Sequence, residues 1–435
     1  MKLGLNILVR SWRGIAGNAV LRSAITSFGL KANAVVFTFG LIVLMSRGAD
    51  ADTFGTFSML FSASGLFAIV AVAGQQVLLL RNWSAHALSG DLAQLKGSLI
   101  YSAVTVLVGL AVTCTGFFIV VAWMLPAELA AAATAYLASL CLVTVSAHLV
   151  RTAVGIFIGD GIGTMFAMAP PIAYLAYLHA TGAPLDIGAV FWLMTLGGAL
   201  VLALHSGVMW WKIRRDFPRL PTAHAAFQTR SWTGGSLKLW VSQVLEVSNQ
   251  YLDVLVVGLL LDPTAAGTYF VITRIANIFG MISAAVYLIT TRHFPAAYYA
   301  GESEKLGRML DAVSLITLIA SLAGMLMILL FGENLLFLFG DQHEGHHQLL
   351  VLLCLGTVLV TGAGPAIALL NIAGEEGRYL RALAISVFMR MLGFLVLIPS
   401  MGVGGAVAAS AFSLALLAAL CSSASVRFTG LDGSV

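Results

Sequence analysis

Runs of about twenty apolar residues, separated by short polar connections, dominate this chain. A bilayer core about 30 Å thick is crossed by ~20 residues of helix at ~1.5 Å rise per residue. Twelve segments reach that length: 24–46, 57–80, 99–123, 130–150, 164–181, 187–211, 237–261, 266–291, 310–331, 348–371, 379–399 and 402–424. The runs are continuous rather than alternating at period two, which predicts helices and not the ~10-residue strands of a membrane barrel. The expected fold is an all-α polytopic membrane protein of twelve transmembrane helices. Ahead of the first run, residues 1–22 mix Lys2, Arg10, Arg13 and Arg22 with Leu3, Leu5, Ile7, Val9, Trp12 and Ile15. That mixture predicts an interfacial basic helix rather than a cleaved leader.

Composition agrees with the pattern. Of 435 residues, 60% are apolar and 10% charged, against about 25% charged in a soluble domain. So few charges cannot coat a water-facing surface, which excludes soluble enzymes, nucleic-acid binders and disordered scaffolds. The net charge of +4 follows topology. Of 23 Lys and Arg, all except Lys31, Arg47, Arg274 and Arg390, hence nineteen, fall in the N-terminal tail, the even-numbered connections or the C-terminus. The densest group is Lys212, Arg214, Arg215, Arg219, Arg230 and Lys238, between spans six and seven. The odd-numbered connections hold Arg47 against Asp50, Asp52, Glu128, Asp186, Asp262, Glu333, Asp341 and Glu344. The positive-inside rule then places both termini in the cytoplasm. Cys114, Cys141, Cys354 and Cys421 lie far apart inside apolar runs and read as small core residues. No P-loop motif occurs, so nucleotide hydrolysis by that route is not expected, and no cofactor is implied.

The two halves resemble each other. Thr53-Phe54-Gly55-Thr56-Phe57 recurs as Ala265-Ala266-Gly267-Thr268-Tyr269, and Gly159-Asp160 as Gly374-Glu375, the latter pair being placed in connections rather than in the membrane. The chain therefore divides into the interfacial segment 1–22, a first lobe 23–211, a basic cytoplasmic linker 212–236, a second lobe 237–425 and a tail 426–435. Six spans per half give both copies one orientation. Parallel repeats of this kind place a transporter's substrate site at their interface.

Arg47, Asp50, Asp52, Phe54 and Gly55 before span two, and Asp253, Gly258, Gly267, Tyr269 and Arg274 in the second half, resemble the Wzx-type lipid-linked oligosaccharide flippases. These belong to the multidrug/oligosaccharidyl-lipid/polysaccharide (MOP) exporter superfamily. The resemblance covers roughly 20–425. It implies two pseudo-symmetric six-helix lobes around a central cavity, in a bacterial inner membrane. It also implies that undecaprenyl-pyrophosphate-linked oligosaccharide crosses from the inner to the outer leaflet by alternating access, alongside polysaccharide polymerase and glycosyltransferase machinery. A cation-coupled drug or small-molecule antiporter of the same superfamily is the alternative.

Ionisable groups at membrane depth cost at least ~2.5–3.5 kcal/mol each, so each needs a reason. Five remain once the connections are assigned: Lys31, Glu246, Asp253, Arg274 and Arg390. Lys31, Arg274 and Arg390 are candidates to bind a pyrophosphate, arginine through bidentate hydrogen bonds. Asp253 and Glu246 are candidates for coupling to H⁺ or Na⁺, or for gating. Gln243, Glu246, Gln250 and Asp253 step along one face of span seven, and Arg274 shares a face with Asn277 in span eight. The plainer expectation is mutual neutralisation, Lys31 with Glu246 and Arg274 with Asp253. Three basic groups against two acidic ones favour an anionic substrate over a lipophilic cation.

His343-Glu344-Gly345-His346-His347 formally matches HExxH. On a helix the outer histidines would hold zinc with Glu344 as general base, so an intramembrane metalloprotease is a second alternative, from another class. Its place in a polar connection and Gly345 within it argue for a solvated loop and no metal. His148 and His205 read as hydrogen-bonded interface residues, Arg151 as snorkelling to the membrane surface, and Trp210 and Trp211 as an aromatic belt.

Overall fold

The computed structural model describes residues 19–280, 294–295 and 298–429. Most of the interfacial segment expected at 1–22, the end of span eight and the tail from 430 lie outside them. Every regular element among the described residues is helical. In the first half these are α1 (Ala19–Gly48), α2 (Ala51–Val72), α3 (Gln75–Ser89), α4 (Leu92–Met124), α5 (Ala127–Ala153), α6 (Gly163–Thr181) and α7 (Ile187–Asp216). The second half holds α8 (Thr229–Leu260), α9 (Pro263–Ala276), α10 (Ser303–Phe337), α11 (His347–Gly362), α12 (Gly364–Ile372), α13 (Glu376–Met401) and α14 (Val403–Thr429). Among the described residues, nine helices are long and apolar enough to cross a membrane.

The helices start where side chains cap them. Asp50 accepts the Thr53 amide at the start of α2, Asp262 accepts the Ala265 amide ahead of α9, and Asp186 accepts the Gly188 amide ahead of α7. Each supplies an oxygen to an N–H that has no partner within the helix.

Hydropathy alone misses several breaks. Span two is two helices, because Ala73 and Gly74 both adopt left-handed conformations (φ 53° and 74°). A side chain at Gly74 would sit 2.5 Å from the Ser236 carbonyl of α8, so only glycine permits this approach. Span ten breaks at Ala363, since Pro365 cannot donate to the carbonyl four residues back. Span eight is interrupted after Ala276, where Asn277 caps α9. Gly159-Asp160, expected in a connection, lies in a π-helical turn, Phe157–Ile162, that runs into α6. There Asp160 pairs with Arg151 at 3.2 Å, so Arg151 is tied to the turn rather than only reaching for the interface. Helices α7 and α8 also extend into the basic linker, leaving 217–228 as the connection between them.

Burial sorts the helices. The most apolar window of α2 is 72% buried and that of α4 only 17%, so α2 is a central post and α4 faces the lipid. The core along α2 is aromatic: Phe57 meets Phe191 of α7 at 5.5 Å, Phe61 stacks with Tyr136 of α5 at 6.1 Å, and Phe54 and Phe61 meet Phe270 of α9 edge-on at 6.3 and 5.9 Å. Edge-on and offset pairs at these distances are the favoured aromatic geometries. The two copies of the repeated motif meet here. A Cβ on Gly55 would fall 1.8 Å from the Pro263 carbonyl oxygen, and one on Gly267 would fall 3.2 Å from the Gly55 Cα. Helices α2 and α9 therefore cross with backbones in contact, as small residues allow in membrane helices.

Candidate functional site

Two polar centres lie in the second half, back to back across α8 and α9. The first is closed. Asp253 of α8 and Arg390 of α13 are 5% and 2% exposed and form an ion pair, Nη1 to Oδ2, at 3.0 Å. Tyr269 of α9 donates to the same carboxylate oxygen at 3.1 Å and shares a hydrogen bond with Ser410 of α14 at 2.7 Å, while Arg390 donates through Nη2 to Asn249. Asp253 Oδ1 and Arg390 Nε have no hydrogen-bond partner among the described residues. These groups border a cavity of about 190 Å³. In a low-dielectric interior both ions must be desolvated, and their attraction repays that cost only with good geometry and added hydrogen bonds. Tyr269, Ser410 and Asn249 supply part of that shell. This corrects the expected pairing: Asp253 neutralises Arg390, not Arg274.

The second centre is built on Arg274, which is 8% exposed. Its guanidinium carbon lies 4.6 Å from the ring centre of Phe270, 5.1 Å from Tyr251 and 5.7 Å from Phe61. Each such contact contributes ~0.5–2 kcal/mol. Three together are of the order of the ~2.5–3.5 kcal/mol that a membrane-depth charge costs on insertion scales, which accommodates Arg274 there without a carboxylate. Among the described residues no acid pairs with it, and its Nε and Nη2 have no hydrogen-bond partner. Arg274 lines a cavity of about 290 Å³ together with Thr38 and Phe39 of α1, Gln250 and Tyr251 of α8, and Asn277. Among the described residues no acid borders it. The cavity therefore joins a first-half helix to two second-half helices, with an unneutralised cation in its wall. Gln250 and Asn277 border both cavities.

The remaining expected site residues fall elsewhere. Gln243 accepts from Gln76 of α3 at 3.3 Å and donates to Glu246 at 3.4 Å, and Glu246 is exposed. The polar face of span seven thus divides, with Gln243 and Glu246 toward one end, Gln250 between the cavities and Asp253 inside the second half. Lys31 lies on α1, but its side chain is outside the described residues, so its expected pairing with Glu246 is not placed. The rings around Arg274 were partly legible: Phe270 precedes it by four residues, one helical turn. Phe61 and Tyr251 come from other helices, and nothing in their sequence surroundings marks them.

The histidine cluster does not form the helix that an HExxH zinc site needs. Asp341–His343 form a 3-10 turn, Gly345 is left-handed (φ 77°), and α11 begins only at His347. The HExxH residues thus never share one helix. His347 points to the Ile328 carbonyl at 3.0 Å, His343 to Ser46 at 2.9 Å, and His346 to backbone carbonyls of its own turn. No group of metal-ligating side chains forms among the described residues. His148 bonds the Thr144 carbonyl at 2.9 Å, and His205 bonds Ser146 at 2.9 Å and the Ile158 carbonyl at 3.2 Å. Trp210 and Trp211 are exposed, with Arg214 and Arg215 stacked over their rings at 4.3 and 4.4 Å.

Comparison with known proteins bears on the whole arrangement. The MatE family matches residues 239–398, from α8 into α13. No curated protein sequence matches the chain. Among solved structures, the chain superposes on the inward-facing conformation of a multidrug resistance MATE family transporter of the MOP superfamily with a TM-score of 0.76. Identity is 14%, over 94% of this chain and 98% of that one. An outward-facing conformation of such a transporter gives 0.62 at 15% identity, covering 95% of each chain. A MATE in complex with MaL6 gives 0.63 at 14% identity, covering 95% of this chain and 96% of that one. The chain therefore has the fold of the MATE transporters, and its second half carries the match to the MatE family.

Proposed function

We propose that this protein is an alternating-access exporter whose substrate is an amphiphilic anion, a lipid-linked pyrophosphate bearing an oligosaccharide being the class that fits best. One observation carries the reading: Arg274 is buried, charged, free of any carboxylate among the described residues, and borders a cavity between the two halves. Aromatic rings hold a guanidinium in place without neutralising it. Its unused N–H groups suit phosphate oxygens, where bidentate hydrogen bonds give both strength and orientation. Arg390 does not compete for this role, because Asp253 already matches its charge. Lys31, on the same first-half helix that lines the cavity, is a candidate second contact.

The alternative, a cation-coupled antiporter for drugs or other small molecules, draws support from the MatE match and from the multidrug transporter fold. Phe39, Tyr251 and Arg274's other rings would also suit a flat lipophilic molecule. Charge separates the two readings, since a lipophilic cation would meet Arg274 with no acid beside it. The superposition on an inward-facing transporter supports a state that loads substrate from the side of the basic linker.

Equilibrium binding to the purified chain tests this. Undecaprenyl pyrophosphate is expected to bind saturably and to raise the melting temperature, and Arg274→Gln to weaken binding at least tenfold, with a lipophilic cation giving no comparable shift. Tight cation binding that survives or improves in Arg274→Gln would instead establish the antiporter reading.

A further inference from the structure

At the end of the bundle opposite the basic linker, residues nearly 300 apart in sequence are hydrogen-bonded to one another. Arg47, at the end of α1, donates through Nε to the Leu338 carbonyl at 2.9 Å and through Nη2 to the Phe337 carbonyl at 3.1 Å. Phe337 is the last residue of α10 and Leu338 its C-cap, so these carbonyls lie at the negative end of the helix dipole; that of Phe337 also accepts the Gly340 amide at 3.0 Å. Beside them, Gln342 donates to the Ser46 carbonyl at 3.1 Å and to Ser46 Oγ at 3.2 Å, and Ser46 Oγ lies 2.9 Å from His343 Nε2.

Ser46 Oγ accepts from Gln342 and keeps one hydrogen to give, which suits an acceptor at His343 Nε2. The closed arrangement fits a neutral ring, whose Nδ1 is buried with no hydrogen-bond partner among the described residues. His343 is 2% exposed and packs edge-on against Phe54 of α2 at 5.7 Å.

We propose that Ser46, Gln342 and His343 form a proton-released latch that closes this end of the transport path. The proposal rests on the alternating-access reading. A proton on Nε2 would make the Ser46 hydroxyl give up donating to the ring and would lie 3.5 Å from the Gln342 amide, which can only donate. It would also create a buried cation with no counter-ion. On the elements packed around it, Arg47 of α1 and His346 of its own turn add positive character. Asp50, Asp341, Glu344 and, across the adjoining cavity, His179 make no hydrogen bond or ion pair with the ring. Burial and His346 together push the His343 ring down to about 4. Once the latch opens and the ring meets water, its ordinary value of about 6.5 returns. The open state thus holds more protons than the closed one, so acid favours opening. Those two values shift the closed-to-open ratio by about 70-fold between pH 7.5 and pH 4.5.

The test is a distance measurement on the full chain in nanodiscs, with spin labels at Gly48→Cys and Gln348→Cys in a Cys114→Ser background. Both labelled positions are exposed and uncharged. The expected result is a longer-distance population that grows as pH falls from 7.5 to 4.5. In His343→Gln, which keeps an acceptor but cannot titrate, that growth should vanish. Ser46→Ala, which keeps the titrating ring but removes its partner, should populate the long distance already at pH 7.5. A parent distance that ignores pH, an unchanged acid response in His343→Gln, or a Ser46→Ala distance equal to the parent's would each overturn the latch. If no variant or pH yields a second distance, the alternating-access reading itself fails, which keeps the two failures distinct.

Discussion

Two arginines that look alike in sequence sit in opposite electrostatic situations. Arg390 is paired, and among the described residues Arg274 is not. Removing Arg390 alone strands a buried carboxylate, a change that costs about 3–5 kcal/mol, whereas replacing both partners by apolar groups is often neutral. Arg390→Met is therefore expected to lower the melting temperature strongly in detergent, and Arg390→Met with Asp253→Leu to recover most of the loss. A double variant as unstable as the single one would show that Asn249, Tyr269 and Ser410, rather than the charge match, hold this centre. Arg274→Gln breaks no ion pair among the described residues, so its melting temperature should stay near the parent's, with a change of less than about 1 kcal/mol. The membrane-depth charges themselves were legible from sequence, because any such group needs a partner. Which acid matches which base was not. Asp253 and Arg390 are 137 positions apart, and their meeting depends on how α8 packs on α13.

At the scale of elements, the crossing of α2 and α9 fixes how the halves meet. Its sequence sign was the glycine in each copy of the repeated motif, and the structure places Gly55 and Gly267 in backbone contact. Gly55→Ala would drive a methyl group to 1.8 Å from the Pro263 carbonyl, so the helices must separate. Overpacking of this kind costs ~1–3 kcal/mol, and backbone-to-backbone contact leaves no side chain to yield. Gly267→Ala faces the edge of the Phe54 ring at 3.0 Å and should be milder. Equal stability of Gly55→Ala and the parent by thermal melting would contradict this packing. Helix breaks were the least legible elements. Apolar runs continue across Gly74 and Ala363, since hydropathy records burial and not backbone torsion. The local cues there, a left-handed glycine and a proline, are weak in isolation.

For the whole molecule, the apolar runs gave the helical membrane class directly, because composition sets the solvent a surface can face. They also made α2 and α4 look equivalent, although one is a central post and the other a lipid-facing rim. Interior and exterior helices of a membrane protein are both apolar, so hydropathy cannot sort them. Charge placement separates the two functional readings more sharply than fold does, since both are expected on one architecture. The decisive measurement is transport by the purified chain in proteoliposomes, comparing the parent with Arg274→Gln and Arg274→Lys. An undecaprenyl-pyrophosphate-linked oligosaccharide should cross saturably with the parent, at least tenfold more slowly with Arg274→Gln, and at an intermediate rate with Arg274→Lys. Parental rates in Arg274→Gln, or exchange of a lipophilic cation that improves when Arg274 is removed, would contradict an anion-carrying cavity.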